Sequence, residues 1–278
     1  MVASLLRQSP HYGAQPAAFF LFAGEATGLR ELFSAPARGY VQGMMASLTS
    51  GEWTWCQSMT NELSTMLLTL AWLVRADDTP LHREWLATVA GRLLDYQLLS
   101  GGIRQFFGVG KEAGKCTHCA PASNAEYATG EQPLMQDGDE PLTDALYSLN
   151  FALLGLREAV GATGDERYAE AERALGGYLA RIQVVSEAHP ELQGAWFRAF
   201  DYRRWEYFAS DGDHGYGPWV TDGGWTNGNI MTAMALRDAN TTLWEVMHAE
   251  AAEWSAKEVE SICREMLQDR AGELCAPK

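Results

Sequence analysis

The chain is short of basic residues and of long apolar runs. Its 278 residues carry 21 Lys and Arg against 36 Asp and Glu, which gives a net charge of −15. This charge repels a phosphate backbone, so it argues against a nucleic-acid partner. No apolar run approaches the roughly 18 to 20 residues that span a bilayer, which predicts a soluble protein with no membrane partner.

Cysteine and targeting signals are also scarce. The five cysteines are too few and too unevenly spaced for a disulfide framework, which favours reduced thiols. Residues 1–15 have Arg7 as their one Lys or Arg and lack the apolar stretch and cleavage site of a secretory signal. The expectation is a cytoplasmic location, unless the chain is a piece of a longer, exported protein.

Motifs for metals and phosphates are missing as well. The stretch Cys116-Thr117-His118-Cys119 has the spacing of half a zinc site, but no second paired cluster completes four ligands. A phosphate-binding glycine loop, a serine nucleophile elbow and a metalloprotease histidine pair are absent. The sequence therefore indicates no metal and no cofactor.

What the chain does contain is helical periodicity. Apolar residues recur at helical spacing in two pairs of segments. These are Leu63 to Val74 with Val89 to Tyr96, and Leu146 to Val160 with Tyr168 to Ile182. Short connectors join each pair, and in the second Gly161 and Gly164 suit the end of one helix while Asp165 suits the cap of the next. Each pair is predicted to form a helical hairpin.

The two hairpins match each other at an offset of 86 residues. The offset carries Val89, Leu93, Tyr96 and Gln97 onto Leu175, Leu179, Ile182 and Gln183. A repeat explains this match, and generic amphipathic periodicity is the alternative. Further helices are predicted over Gly228–Ala239 and Thr242–Gln268. The prediction is an all-α fold in one domain, residues 1–278, with an irregular N-terminal part over residues 1–50.

Two long segments, Ser100–Pro141 and His189–Trp225, interrupt this pattern and are rich in glycine, aromatic and acidic residues. Long irregular segments in a helical domain are typically binding loops, so both are candidate functional segments. Crowded carboxylates in the first segment suit acid and base catalysis, because like charges raise the pKa of some members. The structural alternative places these acids in turns and at a helix N-terminus.

The second segment mixes tryptophan with glycine and charged residues. Aromatic rings stack on the flat C–H faces of sugars, and polar groups bond to the hydroxyls. Arg198, Arg203 and Arg204 offer planar forks to the carboxylate of a uronic acid. The alternatives are that the tryptophans fill gaps between hairpins and that the arginines pair with neighbouring acids.

Several strings in these segments resemble the six-hairpin glycosidases, which are α/α toroid enzymes, in their bacterial glucuronidase-like branch. The strings lie between Asn124 and Arg237 and include Asn124-Ala125-Glu126-Tyr127, Glu131-Gln132-Pro133-Leu134-Met135-Gln136, Gly194-Ala195-Trp196-Phe197-Arg198 and Trp205-Glu206-Tyr207. The resemblance implies a cleft at one end of a helical ring. The predicted helices number about eight to nine, fewer than the twelve of a full toroid, so the expectation is an incomplete, supplemented or truncated ring.

The resemblance also implies site residues. Acid or base candidates are Glu126, Glu131, Asp139 and Asp144. Candidates for substrate contact, from the resemblance and from composition, are Trp196, Arg198, Arg204, Trp205, Glu206, His214, Trp219 and Trp225. The first hypothesis is an exo-acting glycoside hydrolase for a uronic-acid-containing glycan, in which one carboxyl protonates the leaving oxygen and a second activates water or attacks the anomeric carbon.

Two other hypotheses keep the fold. A uronate lyase or sugar epimerase would use His214 or Tyr216 as base and Arg198 to neutralise the substrate carboxylate. A non-catalytic helical scaffold would hold a glycan or a protein through its aromatic loops.

Overall fold

The computed structural model describes residues 9–53, 58–106, 108, 140–207, 224–251, 257–262 and 265, and these are mostly helical. The longer helices are α1 Pro10–Thr27, α2 Ser34–Ser50, α3 Met59–Ala76, α4 Pro80–Leu94, α5 Asn150–Thr163, α6 Glu166–Arg181, α7 Gly224–Asp238 and α8 Leu243–Ala251. A π-helix, Ala145–Leu149, leads directly into α5. No helix in the described ranges has both the length and the apolar character needed to cross a bilayer.

Both predicted hairpins are confirmed, and Gly164 and Asp165 take their predicted places in the second connector, whereas Gly161 lies inside α5. The hydroxyl of Thr79 accepts from the His82 backbone N–H at 3.1 Å and starts α4. Gly164 ends α5 in the left-handed region at φ 67°, and the carboxylate of Asp165 accepts from the Arg167 N–H at 2.9 Å to start α6. Glycine is thus found just after the end of α5, and aspartate just before the start of α6, where each residue type is favoured.

The helices form a row of inner helices backed by outer ones. Helix α3 packs against α1 on one side and α5 on the other, and α5 also packs against α7. Helices α2, α4 and α6 each pack on the preceding inner helix. All of α3 except its last two residues is buried, whereas α4 buries one apolar stripe, Leu86, Val89, Ala90 and Leu93. The core therefore lies along the inner row.

The offset of 86 residues holds for the helix starts. Met59 and Ala145 begin the inner helical segments, and Pro80 and Glu166 begin the outer helices. After each outer helix, the equivalent glutamine amides donate to a glycine carbonyl: Gln97 to Gly101 at 3.1 Å and Gln183 to Gly194 at 2.8 Å. These matched contacts favour a structural repeat over generic periodicity.

Helices α3 and α5 approach closely at Gly155. A Cβ there would lie 2.5 Å from the Leu67 Cβ. We expect Gly155→Ala to lower the free energy of unfolding by about 1 to 3 kcal/mol, the usual cost of overpacking a core. Gly43→Ala is the matched control, because Gly43 is exposed in α2 and its Cβ would meet nothing within 4 Å. This control should gain about 0.5 to 1 kcal/mol. Urea unfolding followed by circular dichroism measures both, and equal stabilities would contradict the close approach.

The prediction of an irregular N-terminal part over residues 1–50 is wrong, since α1 and α2 occupy most of it. Helix α1 lies against α3, where the Thr69 hydroxyl donates to the Ala14 carbonyl at 2.6 Å. Small residues along α1, including Ala14, Ala17 and Ala18, are buried and allow this approach. The predicted helix Thr242–Gln268 is helical over Leu243–Ala251, which is α8, and over residues 257–262, while residues 252–256, 263–264 and 266–268 lie outside the described ranges.

Helix α8 begins beside α5 and reaches α3 and α1. The carboxylate of Glu158 in α5 accepts from the backbone N–H groups of Leu243 at 2.6 Å and Trp244 at 3.3 Å. The same carboxylate accepts from the Trp72 indole of α3 at 2.8 Å. The Trp244 ring packs edge-on against Phe22 of α1, with centroids 5.7 Å apart. One short helix therefore contacts three inner helices.

A small antiparallel sheet pairs the residues that follow the first candidate segment with two strands of the second. Its strands are β1 Leu142–Asp144, β2 Ala199–Asp201 and β3 Glu206–Tyr207, in that spatial order. Thr143 pairs with Phe200, and Phe200 pairs with Tyr207. The Thr143 hydroxyl lies 2.9 Å from the Tyr178 hydroxyl near the end of α6, which anchors the sheet to an outer helix. The sequence did not predict these short strands.

Candidate functional site

The N-terminal ends of α1, α3 and the π-helix lie together. Glu62, in the first turn of α3, accepts from the His11 backbone N–H of α1 at 2.6 Å and from the Ser9 hydroxyl at 3.3 Å. The rings of His11 and Tyr147, the latter in the π-helix, are 5.7 Å apart. Helix N-termini carry partial positive charge, so this end of the row favours anionic groups. Glu62 already supplies one of them.

Asp144 stands at the junction of β1 and the π-helix and is completely buried. Its Oδ1 accepts from the backbone N–H groups of Leu146 at 2.9 Å and Tyr147 at 3.1 Å. Its Oδ2 accepts from Arg198 Nε at 3.2 Å, Arg198 Nη2 at 3.1 Å and Gln105 Nε2 at 3.3 Å. Both carboxylate oxygens are therefore committed to hydrogen bonds within the protein.

Arg198, in the second candidate segment, pairs with Asp144, which follows the first segment in sequence. Its side chain is 1% exposed, and its guanidinium lies 5.0 Å from the centroid of the Tyr147 ring. The Arg198 carbonyl accepts from the Ala145 N–H at 2.7 Å, which fixes the backbone as well. A buried guanidinium needs a carboxylate partner because the desolvation of an unpaired charge is costly. Asp144 provides that partner.

Three fully buried side chains at this end of the row have polar atoms that lack a hydrogen-bond partner among the described residues. These atoms are both amide atoms of Asn61, Oε1 of Gln105 and Oγ of Ser148. Gln105 contacts Asp144, Asn61 lies in the first turn of α3, and Ser148 lies in the π-helix that packs on α3. An unsatisfied buried polar group costs about 1 to 3 kcal/mol. Amide and hydroxyl groups of this kind can donate to and accept from a ligand hydroxyl.

We name this set the inner-end cluster: Glu62, Asn61, Gln105, Asp144, Tyr147, Ser148 and Arg198. Sequence analysis selected only Asp144 and Arg198 from it. The offset of 86 residues supplies a signal for the first turn of α3, because it places Asp144 on Ser58. Ser58 is the N-cap of α3 and accepts from the Asn61 N–H at 3.1 Å. The first turn of α3 is thus the repeat counterpart of the turn that follows Asp144.

The predicted sugar-contact residues are dispersed. Trp196 is 2% exposed, and its indole donates to the Leu179 carbonyl at 2.8 Å, so it contributes to the core. Trp205 lies in the turn between β2 and β3 and is 44% exposed. Arg204 and Glu206 beside it are exposed. Trp225 belongs to the first turn of α7.

The remaining predicted residues lie outside the described ranges. They are Glu126, Glu131, Asp139, His214 and Trp219. Their roles stay predictions. The Cys116 to Cys119 stretch also lies outside these ranges.

Comparison of the chain with models of protein families, with curated proteins and with solved structures gave no match. The resemblance to six-hairpin glycosidases accordingly stays a prediction. What the described residues contribute is the geometry of the inner-end cluster and of the sheet beside it.

Proposed function

We propose that the chain acts on carbohydrate as a glycoside hydrolase, exo-acting on a uronic-acid-containing glycan. The observation that carries the proposal is the pairing of Asp144, which follows the carboxylate-rich segment in sequence, with Arg198 of the tryptophan-rich segment. Pairing of β1 with β2 fixes the same neighbourhood through the backbone. The mix of aromatic, acidic and basic residues in the two segments suits sugar chemistry, and the described parts of both adjoin one polar end of the helical row.

We further propose that the row is an arc of an α/α toroid. Inner and outer helices alternate along the chain, and the two hairpins repeat at an offset of 86 residues. Both observations support this proposal. The inner-end cluster lies where the N-terminal ends of α1, α3 and the π-helix meet. In a ring built this way, a cleft at that end would receive the substrate.

Glycoside hydrolysis needs one carboxyl as acid and a second as base or nucleophile. Glu126, Glu131 and Asp139 are proposed for these roles on sequence grounds. For Asp144 we propose positioning, because its two oxygens already accept five hydrogen bonds from Arg198, Gln105 and the π-helix. A carboxyl held in this way is poorly placed to exchange a proton with substrate.

The experiment is a turnover assay on aryl glucuronides and on saturated and unsaturated uronic-acid oligosaccharides. Single variants Glu126→Gln, Glu131→Gln and Asp139→Asn are compared with wild type and with Glu187→Gln, an exposed acid outside the proposal. Loss of a true acid or base lowers turnover about 100-fold or more with an unchanged melting temperature. The control should match wild type in both.

The readouts separate the competing functions. Release of the aryl group or a reducing sugar supports hydrolysis, whereas formation of a new unsaturated-uronate absorbance supports a lyase. Epimerisation leaves both signals flat and changes the sugar composition. Tight glycan binding with no turnover supports a scaffold. Full activity in all three acid variants refutes the proposed catalytic roles of Glu126, Glu131 and Asp139.

A further inference from the structure

The turn between β2 and β3 carries an exposed aromatic ring beside exposed cations. Trp205 is 44% exposed, and the Arg204 side chain is 73% exposed. Resting on the proposed action on glycans, we propose that this turn is a second binding subsite. Trp205 would stack on a pyranose ring, and Arg204 with Arg203 would bind the carboxylate of a uronate unit in the same glycan chain.

The indole of Trp205 is held in place while much of its surface stays open. Its ring contacts Phe200 of β2 at a centroid distance of 5.2 Å and an interplanar angle of 87°. It contacts Tyr178 of α6 at 5.8 Å and 89°. Edge-to-face packing on two buried rings fixes the orientation of the indole. A preoriented aromatic surface loses little conformational entropy when it binds a ring.

The backbone at Trp205 is strained. Its φ of 59° lies in the left-handed region, which bulky residues seldom adopt and glycine adopts readily. Asp201 builds the turn by accepting from the backbone N–H groups of Arg203 at 2.8 Å and Arg204 at 2.9 Å. Its carbonyl accepts from the Trp205 N–H at 2.9 Å. A tryptophan kept at such a position, with its ring outward, points to use of the ring.

The guanidinium of Arg204 has capacity for a ligand. Among the described residues it forms loose ion pairs with Asp201 Oδ2 and Glu206 Oε1, each at 3.9 Å, which is beyond hydrogen-bond distance. The side chain of Arg203 is also exposed. The planar guanidinium groups of both arginines match carboxylates in bidentate geometry. A uronate unit offers both the ring face and the carboxylate.

The test measures binding by isothermal titration calorimetry with a saturated oligogalacturonate, and with a neutral galacto-oligosaccharide of equal length. Trp205→Gly keeps the left-handed backbone and removes the ring, whereas Trp205→Phe keeps an aromatic surface. Arg204→Gln removes the cation. Phe20→Ala and Arg173→Ala are controls, because both residues are exposed on other helices. Circular dichroism and melting temperature establish that each variant is folded.

We expect Trp205→Gly and Arg204→Gln each to weaken oligogalacturonate binding about tenfold, with the controls unchanged and Trp205→Phe near wild type. Binding that is unaffected by both variants overturns the proposal, as does wild type that binds no oligogalacturonate. Equal affinity for the neutral oligosaccharide overturns the role of the arginines. Hydrolysis is measured separately: intact binding without turnover refutes the proposed enzyme and leaves the subsite standing.

Discussion

Replacing Arg198 by methionine is expected to lower the free energy of unfolding by about 3 to 5 kcal/mol, because it leaves a buried carboxylate without its cation. Asp144 is completely buried, and the guanidinium supplies two of the bonds to its Oδ2. Methionine fills a similar volume but offers no donor. Urea unfolding followed by circular dichroism gives the loss directly.

The control for this substitution is Arg204→Met, which removes an exposed arginine close in sequence. We expect it to change stability by no more than about 0.5 kcal/mol. The double variant Asp144→Asn with Arg198→Met should recover part of the loss, because the asparagine oxygen can still cap the π-helix and no charge remains buried. A single Arg198→Met variant as stable as wild type would show that the ion pair is not formed in solution.

Replacing Glu158 by leucine is expected to destabilise the chain by about 3 kcal/mol, because three N–H donors lose their acceptor. These donors are the Trp72 indole and the backbone N–H groups of Leu243 and Trp244. Glu158→Gln should cost less, about 1 to 2 kcal/mol, since its amide keeps one acceptor oxygen. Glu170→Leu, on the exposed side of α6, is the control and should shift stability by less than about 0.5 kcal/mol.

The difference in stability between wild type and Glu158→Gln is expected to depend on pH. Burial raises the pKa of Glu158, although the hydrogen bonds from Trp72, Leu243 and Trp244 oppose the shift. The folded state therefore holds the proton more tightly than the unfolded state, and the stabilising contribution of protonation is lost as pH rises through the folded pKa. Relative to Glu158→Gln, wild type should gain stability as the pH falls towards 4.5, the ordinary pKa of glutamate. A flat difference across that window would contradict the raised pKa.

The hairpins could be predicted because local signals specify them. Apolar spacing marks α3 to α6, and a glycine and an aspartate mark the second connector. The N-terminal helices carry weaker signals. Helix α1 contains Pro16 and several small residues, and α2 contains Gly39 and Gly43. Packing against α3 stabilises α1 where its own pattern is weak, and such tertiary context is not readable from local spacing.

The candidate site was predicted only in part for a similar reason. Asp144 and Arg198 were selected from composition and resemblance, but the pairing between them joins positions 54 residues apart. The contact of Glu62 with α1 spans 51 residues. Polar residues in an inner helix look like ordinary amphipathic positions until the neighbouring helix is known. Trp196 shows the opposite case, since its surroundings in sequence suggested a binding loop and its side chain lies in the core.

The path of α8 across α5, α3 and α1 affects how the chain unfolds. In a row of hairpins that touch only their neighbours, each unit can open nearly independently, and melting is gradual. Helix α8 links the first inner helix to the third through Phe22, Trp244 and Glu158. Opening any one of these hairpins then disturbs contacts to the others. We therefore expect the row to unfold as one cooperative unit, with a sharp melting transition.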